Sequence, residues 1–328
     1  MSKKLNIAIL DENIDYINCF REYTIGNDGR EYKIYFFTTF ISLLELVKDI
    51  HILVVSESIF SEEYVSVFNK KNVLILTEED NIEEMYGVHC LYRYQNVDTL
   101  ISSIVDYCIC NDILKKDNVN YKKKSHEKII SIYSSADTDN LARFPVLYAI
   151  HLANKGYKVI YFDLTEFSNE TQYGLQETVG SVSDLLYYYL NTNAALSLKA
   201  DMIIGKYAGI EYVPATRCSM DIRNCDTDTL LGFIKEIARL RGMDIIVLFV
   251  SGIVQDYLKI FADSVSTILS YEENTYSTNK KNRMREYIAS QEDYQINDLR
   301  EILVENGGNF KEECMEKMLI HIGYKEEG

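Results

Sequence analysis

The sequence predicts an α/β protein built from two doubly wound, mostly parallel sheets. Three observations carry that prediction. Short, near-continuous apolar runs such as LNIAIL, VLILT, KIISIY and DIIVLFV alternate with stretches of helical spacing, the pattern of strands buried on both faces. A polar, lysine-rich break, KDNVNYKKKSHE at 116–127, divides that alternation into two series. The chain also has 328 residues, of which 47% are hydrophobic and 26% charged, enough material for two cores. The expected domains are therefore 1–115 and 128–328, with 116–127 as linker.

In the first series the expected strands are Leu5–Leu10, Tyr32–Phe37, His51–Val55, Val73–Thr77 and Leu91–Tyr94. Helical spacing covers Ile14–Tyr23, Ile41–Lys48, Glu63–Asn69 and Val97–Cys108 between and after them. The second series offers strands at 128–133, Lys158–Asp163, Ile210–Val213, Asp244–Val250 and Ser266–Leu269. Its helices fall at Phe144–Lys155, Ser183–Leu190 and Thr227–Arg241, the last capped by Asp226 or Thr227. Beyond 272 the chain turns polar, with amphipathic helices expected at 279–289, 296–304 and 310–320.

A formal net charge of −16 argues against sequence-independent binding to DNA or to an anionic membrane, since both need a clustered basic surface. No apolar run of 18 residues occurs, so no spanning helix is expected. Phe310–Ile322 is amphipathic, but Glu312, Glu313 and Glu316 give it the wrong sign for anionic lipid. The seven cysteines are odd in number and scattered, without a zinc spacing, which fits a reducing, cytoplasmic setting. No metal site is expected.

Parallel sheets place function on loops at the carboxyl ends of their strands. In the first domain those loops carry Asp11 and Glu12 after strand 1, Ser56 after strand 3, Thr77 after strand 4, and Arg93 in strand 5. On these positions, residues 4–110 resemble a response-regulator receiver domain. The resemblance implies a pair of acids for Mg²⁺, an aspartate as phosphoacceptor, a Thr/Ser, and a lysine on the phosphate. Asp11, Glu12 and Thr77 match, whereas Ser56 replaces the phosphoacceptor and Arg93 the lysine. A serine hydroxyl forms no acyl phosphate, so a pseudo-receiver that docks other proteins is expected. Asp11 and Glu12 equally suit the amino end of a helix, where its dipole favours acids.

The second domain opens on a strand followed by SSADTDNLARFP, residues 134–145. Strand, loop and helix is the layout that holds phosphates on inward backbone N–H groups, with glycines for close approach and a lysine for the β/γ-phosphates. The flanks, KIISIYSS…FPVLYAIHLANKGYKVIYFDLTEFS, are similar to the opening of the MinD/ParA-type ATPases. With Val182–Leu190, Tyr212–Pro214 and the two-domain order, the chain resembles more narrowly the pilus-assembly group of TadZ and CpaE. Aligned to that family's loop, the glycines fall at Asp137, Thr138 and Asn140, the lysine at Leu141 and the Mg²⁺-binding hydroxyl at Ala142. Asp163 keeps one acid after the next strand, but Thr165 stands for the second and Phe249 for the acid ending DIIVLFV.

Asp137 and Asp139 oppose a triphosphate: each like-charge pair costs on the order of 3 kcal/mol at ~5 Å before screening. Pro145 cannot donate to the Leu141 carbonyl, so the helix is expected to begin near Phe144, with its positive end displaced from any phosphate. No cofactor is therefore expected. The resemblance implies a non-catalytic scaffold or localisation factor for Tad/Flp-type pilus assembly, partnered by other proteins and recruited by them to a cell pole or inner membrane. A homodimer stays open, since the resembled ATPases dimerise around ATP. The alternative is an atypical ATP- and Mg²⁺-binding NTPase, in which Lys128 or the Lys280-Lys281-Asn-Arg283-Met-Arg285 cluster supplies the missing cation.

Overall fold

The computed structural model describes residues 4–24, 32–111, 113, 127–166, 168, 173–176, 178–191, 193–305 and 309. The linker expected at 116–127, all but Glu127, and the helix expected at 310–320 lie outside the described residues. The chain divides into two compact units, one of Met1–Tyr121 with Thr192–Met202, the other of Lys122–Asn191 with Ile203–Gly328.

The first unit holds β1 (Leu5–Leu10), α1 (Ile14–Thr24), β2 (Tyr32–Phe37), α2 (Phe40–Leu44), β3 (Ile52–Ser56), α3 (Glu62–Phe68), β4 (Val73–Thr77), β5 (Glu84–Met85), β6 (Val88–Tyr92) and α4 (Val97–Cys110). Its sheet order is β2-β1-β3-β4-β6-β5, parallel except for the β5–β6 hairpin. The parallel strands thus run 2-1-3-4-5, the flavodoxin-type order, whose switch point lies between β1 and β3. Leu5, Ile7, Ile9 and Leu74 face α1 and α4, while Ala8, Leu10, Val55 and Ile75 face α2 and α3. Such double-sided burial explains the unbroken apolar runs. The helix expected over Ile41–Lys48 is shorter: α2 ends at Leu44 and a 3₁₀ turn takes Val47–Asp49. Arg93 lies just beyond β6 rather than within it.

The second unit holds β7 (Lys128–Ser134), α5 (Asp139–Asn154), β8 (Val159–Leu164), α6 (Val182–Asn191), α7 (Asn193–Ile203), β9 (Gly205–Tyr207), β10 (Ile210–Val213), α8 (Ser219–Arg223), α9 (Thr227–Arg241), β11 (Ile245–Val250), α10 (Tyr257–Asp263), β12 (Ser266–Tyr271), α11 (Thr275–Ala289) and β13 (Leu299–Leu303), save that all of α7 but Ile203 groups with the first unit. The sheet order is β13-β12-β7-β11-β8-β10-β9, parallel except for β9 on β10. Helix α9 matches its expected bounds: Asp226 accepts from the Thr229 amide at 2.9 Å, and Gly242 ends the helix at φ 64°.

Two expectations are corrected. Within the segment 296–304, expected to be helical, Leu299–Leu303 form strand β13, paired in parallel with β12, because Ile302 and Val304 extend the core beside Ile268. Helix α5 begins at Asp139 rather than Phe144, with Thr138 as its cap, and it carries Pro145 in its interior. The Leu141 carbonyl that Pro145 cannot serve accepts instead from Ser134 Oγ, at 3.4 Å.

Helix α7 was not legible in the sequence. Leu198 and Met202 pack in the core formed by α1 and α4. Lys199, 4% exposed, places Nζ 2.7 Å from Asp106 Oδ1 and 2.9 Å from Ser102 Oγ.

Candidate functional site

At the carboxyl ends of β1 and β3, Asp11 and Ser56 are buried at 0% and 1% exposure. Between them lies the Arg93 guanidinium. Its Nη2 is 2.9 Å from Asp11 Oδ2 and donates to Oδ1 at 3.1 Å, and its Nη1 donates to Ser56 Oγ at 3.2 Å. The Tyr16 ring stacks under the guanidinium at 4.4 Å. The Asn13 amide donates to Asp11 Oδ1 at 2.8 Å, closing the turn into α1. Burial pushes the Asp11 carboxyl up, and the Asn13 amide and Arg93 pull it partly back.

Thr77 joins through backbone: its carbonyl accepts from the Arg93 amide at 2.9 Å, while its hydroxyl accepts from the Glu79 amide at 3.0 Å. Glu12 is exposed. Asp11, Ser56, Thr77 and Arg93 thus converge. The Arg93 guanidinium is the cation neutralising Asp11 there, a fixed charge in the middle of the group.

In the second unit a cavity of about 550 Å³ opens over the carboxyl ends of β7, β8 and β11. Its walls include Asp137, Thr138, Asp139 and Ala142 from the loop and first turn of α5, Asp163 and Glu166 after β8, Phe249 of β11, and Arg223 and Lys280 from farther along the chain. Because α5 starts at Asp139, its amino end borders this cavity, in contrast to the displaced helix expected from Pro145. The Thr138 hydroxyl accepts from the Leu141 amide at 3.4 Å, and Asp139 supplies the first-turn acid. Asp139 also pairs with Arg143 at 3.5 Å.

Leu141 does not face the cavity. It is 0% exposed, packed with Phe144, Ile132 and Val247 in the core. Asn140 Nδ2 and Thr138 Oγ1 both donate to Glu272 Oε1, at 2.9 and 3.0 Å. Glu272 is itself held by Ser277, whose Oγ accepts from the Glu272 amide at 2.9 Å. Ser277 Oγ also lies 2.5 Å from Ser135 Oγ, which ties the start of the loop to the same point. A carboxylate of this chain therefore occupies the polar donors of the loop. Glu272 follows β12, and nothing in its local sequence, YEEN, marks it for this role.

Asp163 is 3% exposed, and its oxygens are committed to its own loop. The Thr165 amide and hydroxyl reach Oδ1 at 2.9 and 2.6 Å, and the Ser168 hydroxyl reaches Oδ2 at 2.5 Å. Desolvation pushes this carboxyl up, and the same hydrogen bonds oppose that rise. Glu166 pairs with Arg223 at 3.7 Å. Of the basic cluster on α11, Lys281 and Arg285 pair with Glu301, at 2.5 and 3.2 Å, while exposed Lys280 reaches the cavity wall. Among the described residues, no three His, Cys, Asp or Glu side chains are placed to hold a metal ion. Among them, no helix is long and apolar enough to cross a membrane.

No family model matches the sequence, and no curated protein matches it significantly. Solved structures do. A ParA family ATPase from Chlorobium tepidum TLS is 16% identical at a TM-score of 0.46, over 61% of this chain and 81% of that one. Cobyrinic acid a,c-diamide synthase from Mycobacterium smegmatis, with bound ADP and magnesium, is 12% identical at 0.42, over 61% and 83%. The MinC:MinD cell division complex of Aquifex aeolicus is 14% identical at 0.39, over 59% and 78%. The chain is similar to these proteins at a distance too great for any of their activities to transfer.

Proposed function

We propose that the chain is a non-catalytic scaffold or localisation factor of the TadZ/CpaE kind, serving Tad/Flp-type pilus assembly through protein–protein contacts. One observation carries the loss of catalysis: the loop at 135–142 is latched to the Glu272 carboxylate and buries Leu141 at the position of the phosphate-binding lysine. A triphosphate entering the cavity meets Asp137, Asp139 and Glu166 and finds the Thr138 and Asn140 donors taken. A fold that keeps its cores without this chemistry retains its surfaces, and the pseudo-receiver site, neutralised internally by Arg93, supports the same reading. The pilus assignment rests on the resemblance of motifs and domain order alone. Partners are other proteins; neither nucleic acid nor direct membrane insertion suits the acidic chain.

Lys280 and Arg223 on the cavity wall favour a second reading, an atypical ATP- and Mg²⁺-binding protein whose nucleotide drives dimerisation. Isothermal titration with ATP and with ADP, each with Mg²⁺, separates the two, alongside light scattering for mass. Absence of heat up to millimolar nucleotide is the expected result. Micromolar binding that Lys280→Ala abolishes would sink the scaffold reading and install the second.

A further inference from the structure

The β4–β6 connection carries no helix; residues 78–83 lead into the β5–β6 hairpin instead. Beside that hairpin four rings form a ladder. Phe40 stacks on Tyr64 at 4.1 Å, Phe60 meets Tyr64 edge-on at 6.4 Å, and Tyr86 stacks on Phe60 at 5.3 Å with the planes 15° apart. The ladder ends in the open: Tyr86 is 68% exposed, so the ring face turned from Phe60 meets solvent. Ile41 and Leu44 on α2 and Val67 on α3 are exposed on the helices that carry Phe40 and Tyr64.

Tyr86 and Gly87 make the two-residue turn between Met85 and Val88, with φ of 54° and 70°. Both positive values are those of a type I′ turn, whose first position favours Asn, Asp or Gly. A tyrosine there costs local stability, and what it contributes in return is an exposed ring stacked on Phe60.

The surroundings are acidic. Residues 57–69 and 73–92 include Glu57, Glu62, Glu63, Glu78, Glu79, Asp80, Glu83 and Glu84, all exposed, and no lysine or arginine. Burial pushes the Cys90 thiol up, and Glu57 and Glu84, from different elements, push it further. The local exceptions are Lys70 and Lys71, both exposed; Lys70 Nζ reaches the point where a Cβ on Gly87 would be, with Glu84 Oε1 3.3 Å from the same point.

We propose that this surface docks a basic segment of a partner protein, an arginine lying on the open face of Tyr86 within the acidic rim and an apolar neighbour on the exposed side chains of α2 and α3. An aromatic face with carboxylates around it suits a guanidinium, which stacks on the ring while its N–H groups reach the acids. The same charge repels nucleic acid, anionic lipid and a second copy of a chain whose net charge is −16. The proposal does not depend on the nucleotide cavity; a chain that binds ATP could still use this surface.

The test is fluorescence anisotropy of a short labelled Arg/Leu peptide and its Lys/Leu counterpart on the full chain. Tyr86→Asn retains the turn, since Asn-Gly is favoured in type I′, so lost binding is not lost folding. Expected are a preference for the arginine peptide, a loss of about threefold or more in Tyr86→Asn, a comparable loss in Glu83→Gln/Glu84→Gln, and none in the second unit's pair Glu292→Gln/Asp293→Asn, which changes net charge equally. Undiminished binding by Tyr86→Asn, an equal loss in the second unit's pair, or equal affinity for the lysine peptide would reduce the effect to net charge and overturn the proposal. A dimer that Tyr86→Asn converts to monomer would make a second copy the occupant, and overturn it too.

Discussion

Arg93 meets Asp11 across 82 residues of sequence, with Nη2 2.9 Å from Oδ2 and neither side chain more than 6% exposed. The pair also fixes Ser56 through Nη1, so one guanidinium joins the ends of β1, β3 and β6. A buried charge left alone is far more costly than a buried pair. Arg93→Met is therefore expected to destabilise the chain by about 3–5 kcal/mol in urea unfolding. Because the guanidinium already neutralises Asp11, millimolar Mg²⁺ is expected to leave the wild-type melting temperature unchanged. A loss under about 1 kcal/mol, the range of exposed pairs, would mean that the charges are solvated and the site open.

The Glu272 latch makes a second prediction. Glu272→Ala frees Thr138 Oγ1 and Asn140 Nδ2 and removes an anion beside the amino end of α5. Glu272 is partly exposed, so the cost is expected near 1 kcal/mol rather than the full value of charged hydrogen bonds. Hydrogen exchange should rise at 135–142 with little change in β11. Unchanged exchange there would show that Ser135 and Ser277 suffice to hold the loop.

Much of this architecture was legible in the sequence, and the exceptions have physical causes. Strands such as Val73–Thr77 are buried on both faces and so read as unbroken apolar runs. Helix α9 declares itself by its Asp226 cap and terminal Gly242. The segment at 296–304 misled because Leu299, Ile302 and Leu303 suit helical spacing as well as an edge strand, where only β12 decides. Helix α7 was missed because its apolar face, with Leu198 and Met202, is covered by residues of the first unit, a partner no local pattern reveals. At the cavity of the second unit the sequence identified Asp137 and Leu141 as departures and Asp163 as the acid that is kept, but not Glu272, since a latch between distant loops leaves no spacing. It also placed the start of α5 too late, because a proline inside a helix ordinarily marks a boundary.

Ser134 explains why that boundary failed. Its hydroxyl serves the Leu141 carbonyl that Pro145 abandons. The two residues should therefore be coupled. Ser134→Ala is expected to cost about 1 kcal/mol in the wild type and less in Pro145→Ala, where a backbone N–H returns to that carbonyl and only the bond to Ser270 Oγ, at 2.9 Å, is lost. A double-mutant cycle with additive effects would remove this account of how α5 tolerates its proline.

Asp163 separates a loop-shaping acid from a cofactor ligand through pH. Its folded-state pKa is raised above the ordinary 3.8 by burial, so the folded protein binds this proton more readily than the unfolded chain. The stability it contributes is thus greatest at low pH and falls as pH rises from 3.8 through the raised folded value. Above that raised value the ionised carboxylate is a cost, which Asp163→Asn removes while its amide oxygen still accepts from Thr165 and Ser168 Oγ turns from donor to acceptor. Asp163→Asn is accordingly expected to be at least as stable as wild type at pH 7, with the difference shrinking as pH falls. Asp163→Ala, which orphans the donors of Thr165, Ser168 and Tyr161, is expected to lose about 1–3 kcal/mol at every pH. Thermal melts across that pH range test both. If Asp163→Asn at pH 7 is as damaged as Asp163→Ala, the loop requires the charge itself, and a bound cation at Asp163 becomes the better explanation.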